Sequence, residues 1–209
     1  MGNVERSLLK IATEIQAIAQ NGLAYCKNPF DRERYQELLN IALELFSPTL
    51  SQQHKESIAA EVLSTVGYCC PKIDVRALIY EDNQLLLVQE VQDGHWSLPG
   101  GWADVNYSPA VSIIKEVLEE TGLHCQVSRL LALWDTAKHD HPPHWPYIYK
   151  CVFACTVEQG AFNPSHEVTQ VAYFTLDNLP PLSTYRITEK QIRKLIELLH
   201  DNTDRTVFD

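Results

Sequence analysis

The stretch from Leu98 to Leu123 constrains the chain most, because a Pro-Gly-Gly turn precedes a short helical pattern with three carboxylates. Glu116, Glu119 and Glu120 are spaced i, i+3 and i+4, so they are neighbours on one helix surface. Like charges this close raise one another's pKa unless a cation lies among them. We expect Mg²⁺ or Mn²⁺, since these hard ions favour carboxylate and carbonyl oxygens.

Local signals define the ends of this helix. Ser108 is a suitable N-cap, Pro109 suits the first helical position, and Gly122 suits the C-terminal end. At about 100° per residue, the apolar side chains fall on one arc and the polar ones on the other. The apolar arc holds Ala110, Val111, Ile113, Ile114, Val117 and Leu118, and the polar arc holds Ser112, Lys115 and the three glutamates. The apolar arc is expected to pack on a core, and the acidic arc to face a site rather than bulk solvent.

These residues resemble the Nudix box, G-x5-E-x7-R-E-U-x-E-E-x-G-U, in which U is aliphatic. The matching positions are Gly101, Glu116, Glu119, Glu120, Gly122 and Leu123. The resemblance implies a metal-dependent pyrophosphohydrolase that acts on nucleoside diphosphates linked to another group. It also implies that the three glutamates carry the metal, together with a backbone carbonyl of Gly100 or Gly101.

Two positions depart from the box. Tyr107 stands where the first Glu is expected, and Lys115 stands where Arg is expected. Lysine keeps the charge but loses the planar two-pronged donor that can hold a neighbouring carboxylate rigidly. The departures predict a looser site with fewer anionic ligands, or else a protein that kept the fold and lost turnover.

The net charge of −10 over 209 residues argues against an extended nucleic-acid groove, because such grooves neutralise phosphates with Lys and Arg. A short RNA 3′ end stays open as a substrate. The N-terminus lacks the basic and apolar regions of a signal peptide, and no run has the length of a membrane span. The six cysteines lack zinc-type spacing, which favours a reduced cytoplasmic protein.

The pattern changes near residue 70, and we predict an N-terminal helical extension over 1–66 and a Nudix hydrolase domain over 67–209. Three amphipathic helices are expected in the extension: one ending near Gly22, one capped by Asp31 and closed by Pro48, and one over about 51–63. Such short helices are marginal alone. Their apolar faces therefore predict docking on the catalytic domain or, as we favour, a homodimer.

Beyond Pro71 the pattern is α+β. Strands are predicted over 72–80, 84–90, 130–134, 147–157 and 169–175, with a hairpin turn at 81–83 and a closing helix over 188–200. Together with the box helix, these elements predict the α/β/α sandwich with a mixed sheet that the family resemblance implies. The expected class is thus α+β with a small all-α extension in front.

Substrate-binding candidates lie outside the box. Trp134, Tyr147 and Tyr149 offer aromatic faces that can stack a nucleobase or hold a quaternary ammonium, although Trp134 and Tyr147 are equally suited to a core. His139 belongs to a His-rich loop with His141 and His144. Such a cluster can indicate a zinc site, but we favour a polar loop beside the pocket. Arg76, near the end of the first strand, is expected either to meet a substrate phosphate or to lie on the surface.

Glu167 precedes the last predicted strand. At this place the family often supplies a further metal ligand or the base that activates water, and the alternative is a solvated loop residue. The catalytic candidates are therefore Glu116, Glu120 and Glu167, with either Glu116 or Glu167 as the base.

The resemblance covers nearly the whole chain. Residues 16–23, 31–35, 71–76, 129–133 and 179–183 are similar to a Nudix subgroup that has a helical extension and includes bacterial CDP-choline pyrophosphatases. The resemblance implies a CDP-choline-like substrate cleaved to a nucleoside monophosphate and a phosphorylated partner. The alternatives are an ADP-ribose or NADH pyrophosphatase, an RNA 3′-end-processing hydrolase and a non-catalytic nucleotide sensor.

Overall fold

The computed structural model describes residues 8–46, 52–65, 67–142, 144–163, 165–201 and 205–209. The chain forms two compact units that divide between Cys70 and Pro71, a few residues beyond the predicted boundary. No helix in the described ranges is long and apolar enough to cross a membrane.

The N-terminal unit consists of helices, as predicted. They are α1 (Leu8–Tyr25), α2 (Pro29–Phe46) and α3 (Gln52–Ser64). The first two pack closely at Gly22, where an added Cβ would lie 2.3 Å from the ring of Tyr35. The predicted stop at Pro48 lies outside the described residues.

Buried apolar residues from all three helices form the interior of this unit: Leu9, Ala12, Ala19, Leu39, Ala42, Ile58 and Val62. Gln20 is also buried, and its amide donates to the backbone oxygen of Val62 at 3.1 Å. Several large apolar side chains of the same helices remain exposed: Leu8, Ile18, Phe30, Ile41 and Leu63. The unit therefore does not cover its own apolar surface completely.

The second unit has the predicted α+β architecture, in which helices pack on a mixed sheet. Its elements are β1 (Lys72–Glu81), β2 (Gln84–Glu90), β3 (Trp96–Ser97), α4 (Pro109–Thr121), β4 (Leu123–Asp135), β5 (Ile148–Gly160), β6 (Val168–Phe174), α5 (Glu189–His200) and β7 (Val207–Phe208). Strand β1 is antiparallel to β2 and parallel to β5, so the sheet is mixed. The hairpin turns at Asp82 and Asn83, which both have positive φ, the geometry that suits a two-residue turn.

The two core clusters of this unit lie on opposite faces of β1. Val75, Ala77 and Ile79 pack with Ile113 and Val117 of α4. Leu78 lies in the other core cluster, which contains residues of α5 and the neighbouring strands. Because alternate side chains of a strand point to opposite faces, β1 is apolar on both sides over its second half.

Candidate active site

The Gly100-Gly101 turn lies along the edge of β1. Val75 donates its backbone N–H to the carbonyl of Gly101 at 2.8 Å, and Ala77 donates to Pro99 at 2.9 Å. Gly100 has φ +136°, and an added Cβ would lie 2.0 Å from the carbonyl oxygen of Val75. A side chain at Gly100 would therefore push the turn away from β1.

Helix α4 brings two of the box carboxylates to this turn. Ser108 caps its first turn, Pro109 begins it, and Gly122 ends it in the left-handed region with φ 76°, as the sequence predicts. Glu120 accepts the backbone N–H of Gly100 at 2.8 Å. Glu116 lies against Gly101, where an added Cβ would be 2.9 Å from its Oε2. Both glycines thus allow a close approach, one to the strand and one to a carboxylate.

The packing of α4 corrects two details of the predicted helical arcs. Ser112, assigned to the polar arc, is buried, whereas Val111 and Leu118 on the apolar arc are exposed. The buried surface of α4 is therefore rotated slightly from the predicted one. This rotation also brings Glu120 into the interior, where it is 5% exposed.

The electrostatics of these carboxylates fit a cation site. Burial raises the pKa of Glu120 to about 8, although the charge of Arg76 and the Gly100 amide oppose the rise. Burial also raises the pKa of Glu116, and the charges of Glu119 and Glu167 add to this effect. A divalent cation would relieve such desolvated carboxylates, because an opposite charge favours the ionised form. Glu116 and Glu120 therefore have the chemistry expected of Mg²⁺ or Mn²⁺ ligands.

The third box carboxylate lies apart from this pair. Glu119 is exposed, and its carboxylate is 3.5 Å from the ammonium of Lys115. Lys115 also contacts Asp104 at 2.7 Å. Within the ranges that the structure describes, no three His, Cys, Asp or Glu side chains are grouped tightly enough to hold a metal. The metal ligands, including Glu119, therefore remain predictions, and so does the preferred interpretation of the His-rich loop as a polar loop beside the pocket.

Glu167 follows a loop that ends beside β2. Its backbone carbonyl accepts from Val91 at 3.0 Å, and its carboxylate is exposed and lies 3.5 Å from His166. The charge of Glu167 acts on Glu116, so both base candidates belong to one electrostatic neighbourhood.

Arg76 is buried. A surface position, which was one of the two expectations for this residue, is therefore wrong. Its Nε donates to Asp74 at 2.9 Å, and its Nη1 donates to the carbonyl of Leu98 at 3.0 Å. The guanidinium therefore ties β1 to the residue that precedes the Pro-Gly-Gly turn. Its charge also acts on Glu120 and Glu116.

A buried ionic network continues from Arg76, and most of its members were not predicted from the sequence. Lys150 lies 3.3 Å from Asp74, and the guanidinium of Arg186 lies 3.1 Å from Glu90. Burial lowers the pKa of Lys150 to about 8 despite the charge of Asp74. Burial acts to raise the pKa of Asp74, but the neighbouring cations outweigh it and hold that pKa below its usual range. The sequence does carry one signal of this network, because the charged residues Lys72, Asp74 and Arg76 occupy every second position of an otherwise apolar strand.

The aromatic candidates separate into core and surface residues. Trp134 is 4% exposed and lies in a core cluster, so it presents no open ring face to a nucleobase. Tyr147 and Tyr149 are partly exposed, with ring centroids 6.1 Å apart. Tyr147 donates to Asp135 at 2.8 Å, and the ring of His139 lies 4.9 Å from that of Trp134.

Comparison with known proteins finds two family profiles and a similar full-length protein that match this chain. Residues 71–196 match the NUDIX domain profile, and residues 6–63 match a profile described as a UDP-X-like, N-terminal oligomerisation domain. The Bacillus subtilis protein YjhB, provisionally named an ADP-ribose pyrophosphatase, is 41% identical over 209 residues, which cover 100% of both chains.

Two solved structures are similar as well. An ADP-ribose pyrophosphatase from Streptococcus suis has a TM-score of 0.62 and 38% identity, over 67% of this chain and 100% of its own. A UDP-X diphosphatase has a TM-score of 0.62 and 36% identity, over 96% of this chain and 97% of its own.

Proposed function

The chain belongs to the Nudix family of hydrolases, which act on phosphoric anhydride bonds, and we propose that it cleaves a nucleoside diphosphate linked to another group. The products are a nucleoside monophosphate and a phosphorylated partner. The observation that carries this proposal is the 2.8 Å hydrogen bond from the amide of Gly100 to Glu120. It supports a site in which a buried carboxylate of α4 meets the backbone of the glycine turn.

The chain's own residues have distinct tasks in this reaction. Glu116 and Glu120 would hold a divalent cation, and Glu119, whose carboxylate contacts Lys115, would be a further ligand. The carbonyl of Gly101 already accepts the amide of Val75 at 2.8 Å, so we favour the carbonyl of Gly100 as the backbone ligand. Mg²⁺ or Mn²⁺ bound there would neutralise phosphate charge and lower the pKa of a bound water.

A carboxylate near this turn takes the proton of the attacking water. Glu116 is half-buried beside Gly101, and Glu167 is exposed in the loop before β6. Either side chain can act as a general base within hydrogen-bond reach of a bound water. Arg76 holds Leu98, and with it the start of the turn, in position on β1.

We favour an ADP-ribose or UDP-X type of substrate over CDP-choline. The names of the similar proteins support the first two. The CDP-choline prediction relied partly on stacking by Trp134, and burial of that ring in the core removes this support. Tyr147 and Tyr149 stay candidates for substrate contact because their rings are partly exposed.

A coupled phosphate assay tests the proposal. ADP-ribose, UDP-sugars, NADH, CDP-choline and a labelled RNA oligonucleotide are compared at matched concentrations with Mg²⁺ or Mn²⁺, and phosphate is detected after phosphatase treatment. We expect kcat/KM for ADP-ribose or a UDP-sugar to exceed that for CDP-choline. Mononucleotide release from RNA as the main activity would favour the RNA-processing alternative, and tight binding of all compounds without turnover would favour a sensor.

A further inference from the structure

Trp102 follows the glycine turn directly and exposes 46% of its surface. Its backbone is held on both sides, because Val75 donates to Gly101 at 2.8 Å and Ala103 donates to Ile73 at 2.9 Å. The exposed ring is therefore carried by a fixed segment rather than by a loose loop. Such a segment loses little conformational entropy when a ligand stacks on the ring.

The register of this segment determines the side of the sheet that the Trp102 ring occupies. Trp102 forms an antiparallel bridge with Asp74, and directly paired residues of antiparallel strands lie on the same face. This face also carries Lys72, whose ammonium lies 5.5 Å from the centroid of the Trp102 ring. Asp74 in turn contacts Lys150 and Arg76. An exposed aromatic ring and a cation thus border the polar side of β1.

The proximity of Trp102 to the turn relates the ring to the site of cleavage. Only Gly101 separates it from Gly100, which contacts Glu120, and adjacent Cα atoms lie about 3.8 Å apart. In a nucleotide, one ribose separates the base from the phosphate. A substrate whose diphosphate lies at the turn can therefore extend its base along the segment that carries Trp102.

We propose that Trp102 is the residue that stacks on the nucleobase, with Lys72 facing the phosphates or ribose of the same nucleotide. The inference rests on the proposed function and adds the group that recognises the base. Stacking on an aromatic ring accepts any base, because every base has a π face.

Substitution of Trp102 tests this role when base-containing and base-free ligands are compared. In Trp102→Leu, KM for the best nucleoside diphosphate substrate should rise about 5- to 100-fold, with a smaller change in kcat. Inhibition by the nucleoside monophosphate product should weaken by a similar factor, whereas inhibition by ribose 5-phosphate should stay constant. Trp102→Phe should restore most of the affinity. Phe162→Leu is the matched control, since Phe162 is 47% exposed.

The possible outcomes separate the two proposals. Equal losses for the nucleotide and ribose 5-phosphate would show a structural role for Trp102 and overturn the inference, as would unchanged KM in Trp102→Leu. If the wild-type protein hydrolyses none of these diphosphates, the proposed function fails. The role of Trp102 is then decided by calorimetry, which compares binding of the nucleoside monophosphate and of ribose 5-phosphate to the wild type and to Trp102→Leu. If Trp102→Leu does not fold, quenching of tryptophan fluorescence by the nucleotide but not by ribose 5-phosphate supports the inference, and equal responses contradict it.

Discussion

The ammonium of Lys115 lies 5.7 Å from the centroid of the Tyr107 ring. These are the two positions at which the chain departs from the Nudix box, and the structure brings them together. Lys115 also contacts Asp104 at 2.7 Å, so an acidic partner for the cation comes from the loop instead of from the usual box glutamate. The departures therefore complement each other, which argues against the expected loosening of the site.

Restoring the family residue at position 107 should have little effect on activity. In Tyr107→Glu, the new carboxylate would share Lys115 with Asp104 without touching Glu116 or Glu120. Because exposed ion pairs contribute little, kcat/KM should stay within about fivefold of the wild-type value. Steady-state kinetics with the best diphosphate substrate provide the measurement. A gain of two orders of magnitude would mean that Tyr107 impairs the site.

Glu120→Gln should lower turnover by roughly two to three orders of magnitude, because it would remove an anionic ligand of the proposed metal site. The fold should survive, since an amide can still accept the N–H of Gly100. Glu197→Gln on α5 is the control, because Glu197 is exposed and pairs with Lys194 on the same helix. Wild-type kcat in Glu120→Gln at both limiting and saturating metal would exclude Glu120 from the site.

The metal-free protein should lose stability as the pH rises towards 8. Burial raises the pKa of Glu120 from 4.5 to about 8, so the folded state holds this proton more tightly than the unfolded state. The stability is therefore fully present below about pH 4.5 and declines as the pH approaches 8, by no more than a few kcal/mol. Glu120→Gln should remove this pH-dependent contribution to the free energy of unfolding.

Thermal unfolding in EDTA, measured for both proteins between pH 5 and 8, gives the comparison. As the pH increases, the Tm of the wild type should fall relative to the Tm of Glu120→Gln. Added Mg²⁺ should stabilise the wild type more than the variant, since a ligand that binds only the folded state raises its stability. Parallel pH profiles for the two proteins would contradict a buried, protonated Glu120.

The N-terminal unit should form a dimer contact. Its exposed Ile18, Phe30 and Leu63 and its match to an oligomerisation domain profile motivate this prediction. Removal of residues 1–66 should give a monomeric or aggregating protein, and full-length protein should be a dimer by light scattering. A stable full-length monomer at micromolar concentration would refute it.

The sequence predicted the long elements well because their patterns are local. The N-cap, first-turn proline and terminal glycine of α4 all act within the helix, and the hairpin turn needs only Asp82 and Asn83. Strand β4 begins at Leu123 rather than near Leu130, because register shifts along its pairing with β5 interrupt the alternation. Strands β3 and β7 have two residues each, too few to show a period of two.

The candidate site was predicted less completely, because burial depends on distant packing partners. Glu116, Glu120 and the two glycines meet through a short segment of chain, so their spacing was informative. Trp134 and Arg76 are buried by strands and loops far away in sequence. Trp102 was overlooked because nothing in its immediate neighbours reveals the bridge to Asp74.

The parallel pairing of β1 with β5 has a consequence for synthesis on the ribosome. Strand β1 ends at Glu81, whereas β5 ends at Gly160, so the central strand emerges long before its partner. Helices α1 and α2 are adjacent in the chain and can associate early, since local contacts form fastest. The nascent chain thus exposes an apolar central strand before β5 is available to pair with it, and unpaired strand edges make such intermediates prone to aggregate.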